Sequence, residues 1–242
     1  MDKINGILDN AKSILVTSHL QPDPDAICSA LVMYDYILKV FPSKSVKIAL
    51  NGQKLEAYTS LKNYEDIKWI NDISEIVNEF DTLVFTDGSQ IGRFTNFEEK
   101  IDLSKFKTIC IDHHKNEISK WDAIIWESSE PSASQIIYKY FLKGKDHLID
   151  KQVCETLLTG ILSDTGSLKF VNSEALSTFD YVKELIQECG LDIKQIEDKY
   201  FSLTASDWDI ISELIKNIVK VDDVEKPFLY TFLPMSYLNK YS

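Results

Sequence analysis

The chain has 242 residues, 44% hydrophobic and 26% charged, which is enough apolar material for one large domain or one domain and part of another. Acidic residues outnumber basic ones by 38 to 26, for a formal net charge of -12, and no basic cluster offers a grip on long nucleic acid. The apolar runs are too short for a transmembrane helix, and "MDKINGILDN" lacks the basic and apolar regions of a secretory leader, so a cytoplasmic protein without membrane partners is expected.

In chain order, "SILVTS" (13–18) reads as a buried strand. Residues 26–41 follow with Ile27, Ala30, Leu31, Tyr34, Ile37, Leu38 and Phe41 at helical spacing. A strand "VKIAL" (46–50) leads into a polar helical stretch, and then come "TLVFTD" (82–87), "KTICID" (107–112) and "DAIIWE" (122–127). These strands are continuous apolar runs, which predicts burial on both faces and a mostly parallel sheet flanked by helices, an α/β architecture. From about residue 132 the pattern turns helical, beginning with "PSASQIIYKYFL". Residues 150–162 put Val153, Cys154, Leu157, Leu158, Ile161 and Leu162 on one face, and two further helices cover roughly 174–189 and 192–201. "SDWDIISELIKNIV" (206–219) opens with Ser206 and Asp209 at capping-box spacing.

The last apolar segment, "PFLYTFLP", reads as a strand that either joins an edge of the main sheet or opens a second domain. Its unpaired backbone requires a partner, expected in the main sheet edge or in another chain. The four cysteines, Cys28, Cys110, Cys154 and Cys189, form no C-x-x-C motif and read as buried thiols in a reducing compartment.

The chemistry concentrates where strands end. His19 follows the first strand in "SHLQPDPDA", Asp87 ends the third, and Asp112 ends the fourth with His113 and His114 directly after it. The carboxyl ends of parallel strands line one edge of an open sheet, where ligands bind. Asp164 follows the apolar stripe of the 150–162 helix in "SDTG". The remaining histidine, His147 in "KGKDHL", reads as a surface loop residue.

Several carboxylates cannot share one edge without cations between them. Carboxylate and imidazole donors without cysteine suit manganese or magnesium, and a lone zinc would use fewer carboxylates. Six such side chains, His19, Asp23, Asp25, Asp87, His113 and Asp164, are too many for one catalytic ion. They suit two ions about 3.5–4 Å apart with one carboxylate between them. Pro22 and Pro24 restrict the backbone around Asp23 and Asp25, so the loop is stiff before metal arrives, and the x-D-x-D spacing lets the two carboxylates point to different ions.

These motifs resemble those of the DHH phosphoesterase superfamily: "SHLQPDPDAICSAL", "VFTDGS", "IDHHKN" and "LLTGILSDTGSLKF", in that order, over roughly residues 10–205. "PSASQIIYKYF" is similar to the branch of nano-RNases and 3′-phosphoadenosine-5′-phosphate (pAp) phosphatases. The resemblance implies one metal held by His19, Asp23 and Asp87, and another by Asp25, Asp87, His113 and Asp164, with Asp87 bridging. It implies that His114 faces the substrate phosphate and that Asp112 orients a neighbouring histidine. It further implies two manganese ions per chain, with magnesium or cobalt as substitutes, and a homodimer. Cys28 stands where this branch usually has glycine, and the Gly-Gly-Gly-His motif of the family's DHHA1 domain is absent. The expected organisation is a DHH catalytic domain over 1–205, a linker helix over 206–222 and the incomplete start of a DHHA1-like domain over 223–242.

The expected function is a manganese-dependent phosphoesterase acting on short oligoribonucleotides or pAp. The acidic balance fits short nucleotides or small phosphate esters, not long double-stranded nucleic acid. The alternatives are an inorganic pyrophosphatase or exopolyphosphatase, and a metal-binding domain with little turnover.

Overall fold

The six apolar or partly apolar runs of the first half form one parallel sheet. In the computed structural model, which describes residues 1–115, 118–222, 225–238 and 240, helix α1 (Asp2–Asn10) precedes strand β1 (Ser13–Ser18). Helix α2 (Pro24–Val40) and strands β2 (Ser45–Asn51), β3 (Ile67–Ile70), β4 (Thr82–Thr86), β5 (Lys107–Asp112) and β6 (Ala123–Trp126) follow. The strand order is β3-β2-β1-β4-β5-β6, with every neighbouring pair parallel. The order therefore reverses between β1 and β4, the switch point at which open α/β sheets leave a crevice beyond their carboxyl ends.

The two faces of the sheet are covered differently. Helix α2 packs against helix α4 (Lys151–Asp164) and helix α3 (Ala133–Ile137), which runs on as one wider π turn over Tyr138–Leu142. On the other face Leu15, Leu83 and Phe85 meet Ile73, Ile76, Val77, Phe80, Phe94, Ile101 and Phe106, carried largely on short 3₁₀ turns and the loops between them. Phe85 lies at the centre of that layer, its ring centroid 4.6 Å from Phe94 and 4.8 Å from Trp121.

Helices α5 (Ser177–Cys189) and α6 (Ile193–Tyr200) complete the first of two units, Met1–Tyr200. The second unit, Phe201–Ser242, contains helix α7 (Ala205–Lys216), strands β7 (Val219–Val221) and β8 (Phe228–Tyr230), and the single turn α8 (Met235–Leu238). Part of the expected 223–242 segment lies outside the described residues, as does Asn116 at the end of the third motif.

Several expectations need correction. The polar stretch expected to be helical contains β3, the edge strand. Its four residues, with Ile67 and Ile70 covered and Lys68 exposed, lack the apolar run of the other strands and carry their buried side chains at i and i+3. Helix α1 was not anticipated; Ile4 and Leu8 are its buried side. The capping box of α7 is Thr204 with Asp207, two residues before the expected pair. "PFLYTFLP" supplies β8, which pairs antiparallel with β7 in a two-stranded sheet and not with the main sheet. Its hairpin is tied to α7 by the Thr231 hydroxyl, which donates to the Leu214 carbonyl at 2.5 Å. Cys154 and Cys189 are joined as a disulfide with Cα atoms 6.4 Å apart, because α5 packs on α4, whereas Cys28 and Cys110 are buried free thiols.

Phe85→Ala removes the ring that both Phe94 and Trp121 lean on and leaves a cavity in a close-packed layer. It is expected to cost about 3–5 kcal/mol of stability, measured as a lower denaturant midpoint at unchanged slope.

Candidate metal centre

The crevice at the switch point is built from the residues that directly follow β1, β4 and β5. His19 continues β1, Asp87 continues β4, and His113 and His114 follow Asp112 at the end of β5. Asp87 adopts a left-handed backbone, φ 59°, uncommon for a residue other than glycine, while its N–H still bonds to the Ile111 carbonyl at 2.9 Å. The ladder is thus kept while the carboxylate turns into the crevice. Asp23 caps α2, one oxygen accepting from Ala26 N–H at 2.9 Å, with Pro24 at the first helical position. Asp25 is consequently inside the first turn of α2, and Asp164 is the last helical residue of α4.

Asp87 is fully buried, and its two oxygens face different histidines. Oδ2 lies 3.2 Å from His19 Nε2, and Oδ1 lies 3.2 Å from His113 Nε2. His19 Nε2 is also 3.8 Å from Asp23 Oδ2, and His113 Nε2 is 3.3 Å from Asp164 Oδ2. His19, Asp23 and Asp87 present one set of donor atoms within 4.8 Å of one another; Asp25, Asp87, His113 and Asp164 present a second. The six expected ligand residues are therefore together, with Asp87 common to both sets. Asp87 with His113 and His114 forms a third, overlapping set.

These atoms meet without making hydrogen bonds. Both Asp87 oxygens, His19 Nε2 and His113 Nε2 are buried and have no hydrogen-bond partner. Orphaned buried polar atoms are costly, and four that converge at ligand-to-ligand spacing fit a cation between them. The outer contacts agree. His19 Nδ1 donates to the Leu20 carbonyl at 2.8 Å, which leaves Nε2 as the nitrogen that can ligate. The donor set, carboxylate oxygen and imidazole nitrogen without thiolate, suits manganese or magnesium.

The electrostatics show the strain of bringing these groups together. Burial disfavours a charged His19, but the neighbouring Asp23 and Asp87 carboxylates outweigh it and raise its pKa to about 10. Burial likewise opposes charge on His113, and Asp164 and Asp87 outweigh it, to about 11. Burial would raise Asp87, yet His113 and His19 hold it well below the usual carboxylate range. Asp25 is pushed well above that range by its complete burial, then by repulsion from Asp164 and Asp87. Asp164 is raised too, first by burial, with repulsion from Asp87 opposing the His113 contact.

The remaining two expected residues form a pair beside this cluster. Asp112 Oδ1 accepts from His114 Nδ1 at 2.8 Å and from the His114 backbone N–H at 3.2 Å. His114 Nδ1 is 3.6 Å from Asp87 Oδ1, and the two histidine rings are 4.3 Å apart. Asp112 therefore orients His114 and not His113. His147 is exposed in a 3₁₀ turn, as expected of a surface residue.

Three contributions escaped the sequence reading. Asp25 is fixed by backbone N–H groups of Ala133, at 2.6 Å, and Ser134, at 3.1 Å. Trp126, in register with Asp112 on β6, donates from Nε1 to the His114 carbonyl at 2.7 Å. Leu20 anchors His19 through its carbonyl. The helix-start signal in "PSAS" marked where the first of these begins, but backbone donors have no residue signature.

Residues 13–161 match the family model described as DHH family, N-terminal domain. The chain belongs to the DHH family. It is similar to the bifunctional oligoribonuclease and PAP phosphatase NrnA of Bacillus subtilis, 27% identical over 181 residues, covering 72% of this chain and 53% of that protein. It is also similar to the probable manganese-dependent inorganic pyrophosphatase of Bacillus cereus, 25% identical over 218 residues, covering 88% of this chain and 66% of that protein. A solved structure of an exopolyphosphatase-related protein from Bacteroides fragilis shares the fold, with a TM-score of 0.78 at 21% identity, covering 90% of this chain and 65% of that one. The chain thus spans about half the length of the NrnA relatives it matches. Among the described residues no helix is long and apolar enough to cross a membrane.

Two outcomes are expected. Asp87→Asn should weaken manganese binding at both donor sets together, read by equilibrium dialysis with metal analysis; loss at one set alone contradicts a shared carboxylate. Cation binding should also release protons, because His19 and His113 hold theirs up to about 10 and about 11. Raised histidine values mean that the metal-free pairing is complete below 6.5 and is lost as pH rises through 10–11. Metal affinity should therefore rise with pH, and calorimetry in buffers of different ionisation enthalpy should register the released protons; none released contradicts the pairing.

Proposed function

We propose that this chain carries a manganese-dependent phosphoesterase centre that uses two ions and hydrolyses short oligoribonucleotides or pAp. The observation that carries the reading is Asp87, buried, with each oxygen facing a different histidine and no hydrogen bond to either. Divalent cations in this cradle would supply Lewis acidity for phosphate hydrolysis and offset the carboxylate charge that otherwise repels the substrate.

The chain's own residues account for the remainder. His19 and Asp23 would hold one ion, Asp25, His113 and Asp164 the other, and Asp87 both. Asp112 fixes His114 Nδ1. With Nδ1 committed to Asp112, His114 has Nε2 as the ring nitrogen that would meet a non-bridging phosphate oxygen. Its partial exposure fits a group that meets substrate. Placing a donor where charge builds during phosphoryl transfer lowers the barrier without reorganisation. Trp126 holds the His114 backbone against drift.

The acidic composition favours a short substrate whose phosphate enters between cations over a long strand bound along a surface. The NrnA relatives support nucleotide substrates. The pyrophosphatase resemblance covers more of this chain, 88% against 72%, and supports inorganic pyrophosphate as the second reading.

A substrate panel with manganese separates the two: pAp, a diribonucleotide, a dimeric adenylate and pyrophosphate. The proposal expects turnover of the diribonucleotide or pAp ahead of pyrophosphate, and the reverse order supports the second reading. His114→Ala should lower kcat by about 100-fold or more while manganese content stays near two ions per chain. Loss of metal in that variant would show that His114 is itself a ligand.

A further inference from the structure

Asp25 differs from the other candidate ligands because other elements already grip it. Both of its oxygens accept a hydrogen bond from a main-chain N–H, one from Ala133 and one from Ser134. The carboxylate is therefore held in one orientation, fully buried, with its remaining lone pairs available to the crevice. This clamp requires α2, α3 and α4 to approach closely, and Gly160 is where they do so. A Cβ placed on Gly160 would collide with Ser134 Oγ, and would lie 2.9 Å from Ser134 Cβ and 2.8 Å from Asp25 Oδ1. Any side chain there must displace Ser134 or Asp25.

Gly160 stands four residues before Asp164 on α4, one turn away on the same helix face. Its position thus sets the separation of α4 from Asp25 and, through the helix, the placement of Asp164. Helix propensity alone would favour alanine at a buried mid-helix site, so glycine stands there against local preference.

We infer that Gly160 is a positioning residue for one ion only: with the Ala133 and Ser134 N–H groups, it sets Asp25 and Asp164 at the distance that a shared cation requires. The inference rests on the two-ion reading of the site. It makes a distinction that this reading alone does not, because the set of His19, Asp23 and Asp87 touches neither Gly160 nor Ser134 and should be unaffected.

The test is manganese binding to the whole chain, followed by equilibrium dialysis and by the electron paramagnetic resonance of free manganese, with circular dichroism to verify the fold. Wild type should bind two ions. Gly160→Ala should keep one at near wild-type affinity and bind the other about 10–100-fold more weakly, the range for lost supporting contacts around a metal. Ser134→Ala keeps the N–H given to Asp25 and serves as the background against which the double variant is read. Added to Gly160→Ala, it should restore part of the lost affinity by relieving the collision. Should Gly160→Ala fail to fold, Ala133→Pro decides. Proline is tolerated at a first helical position and after the extended Ser132, and it deletes the N–H given to Asp25. It should lose the same single ion. Two ions at wild-type affinity in the folded variants would overturn the role of Gly160. Wild type that binds no ion, or one, would instead overturn the two-ion reading on which the inference rests.

Discussion

One buried carboxylate sets the terms for the site. Asp87 is removed from water, carries an unusual left-handed backbone and satisfies neither oxygen by hydrogen bonding. Such a group is costly wherever it has no compensating charge. Around it stand three histidines and four more aspartates, delivered by β1, the start of α2, the end of β5 and the end of α4, so the repulsion is shared across the architecture and not absorbed by one loop. In the proposed reading, a pair of cations supplies that compensation. The neighbouring carboxylates also raise the pKa values of His19 and His113, so protons on these rings would offset part of the same charge.

The sheet topology makes this arrangement feasible. The reversal of strand order between β1 and β4 opens a crevice beside the residues that leave those two strands, His19 and Asp87. β5 adds Asp112 and the two histidines from the neighbouring position. Helices on one face deliver Asp25 from the start of α2 and Asp164 from the end of α4, so opposite helix ends meet over the same crevice. The other face is closed by an apolar layer of 3₁₀ turns and loops centred on Phe85, which backs the strand that leads into Asp87.

Much of this was legible in the sequence, for a physical reason. Strands buried on both faces are written as unbroken apolar runs, and a metal site is written as carboxylates and imidazoles placed where those runs stop. β1, β2, β4 and β5 and the eight candidate site residues could be read in this way, and β6 was read from its apolar run although it is an edge strand with Ile124 and Trp126 exposed. β3 could not, because it is only four residues long, interrupted by Lys68, and its buried Ile67 and Ile70 have the i, i+3 spacing of a helical fragment. The layer of 3₁₀ turns was missed because irregular structure has no period. The Cys154–Cys189 bridge depends on how two helices pack, which sequence spacing does not encode. The hold on Asp25 was hidden more deeply, since its donors are backbone N–H groups and its clearance is the absent side chain of Gly160.

The most direct test of the shared carboxylate is anomalous diffraction from crystals of the chain grown with manganese. Two peaks about 3.5–4 Å apart, one beside each oxygen of Asp87, are the expected result. A single peak, or two peaks of which only one contacts Asp87, would contradict a centre built around a bridging Asp87.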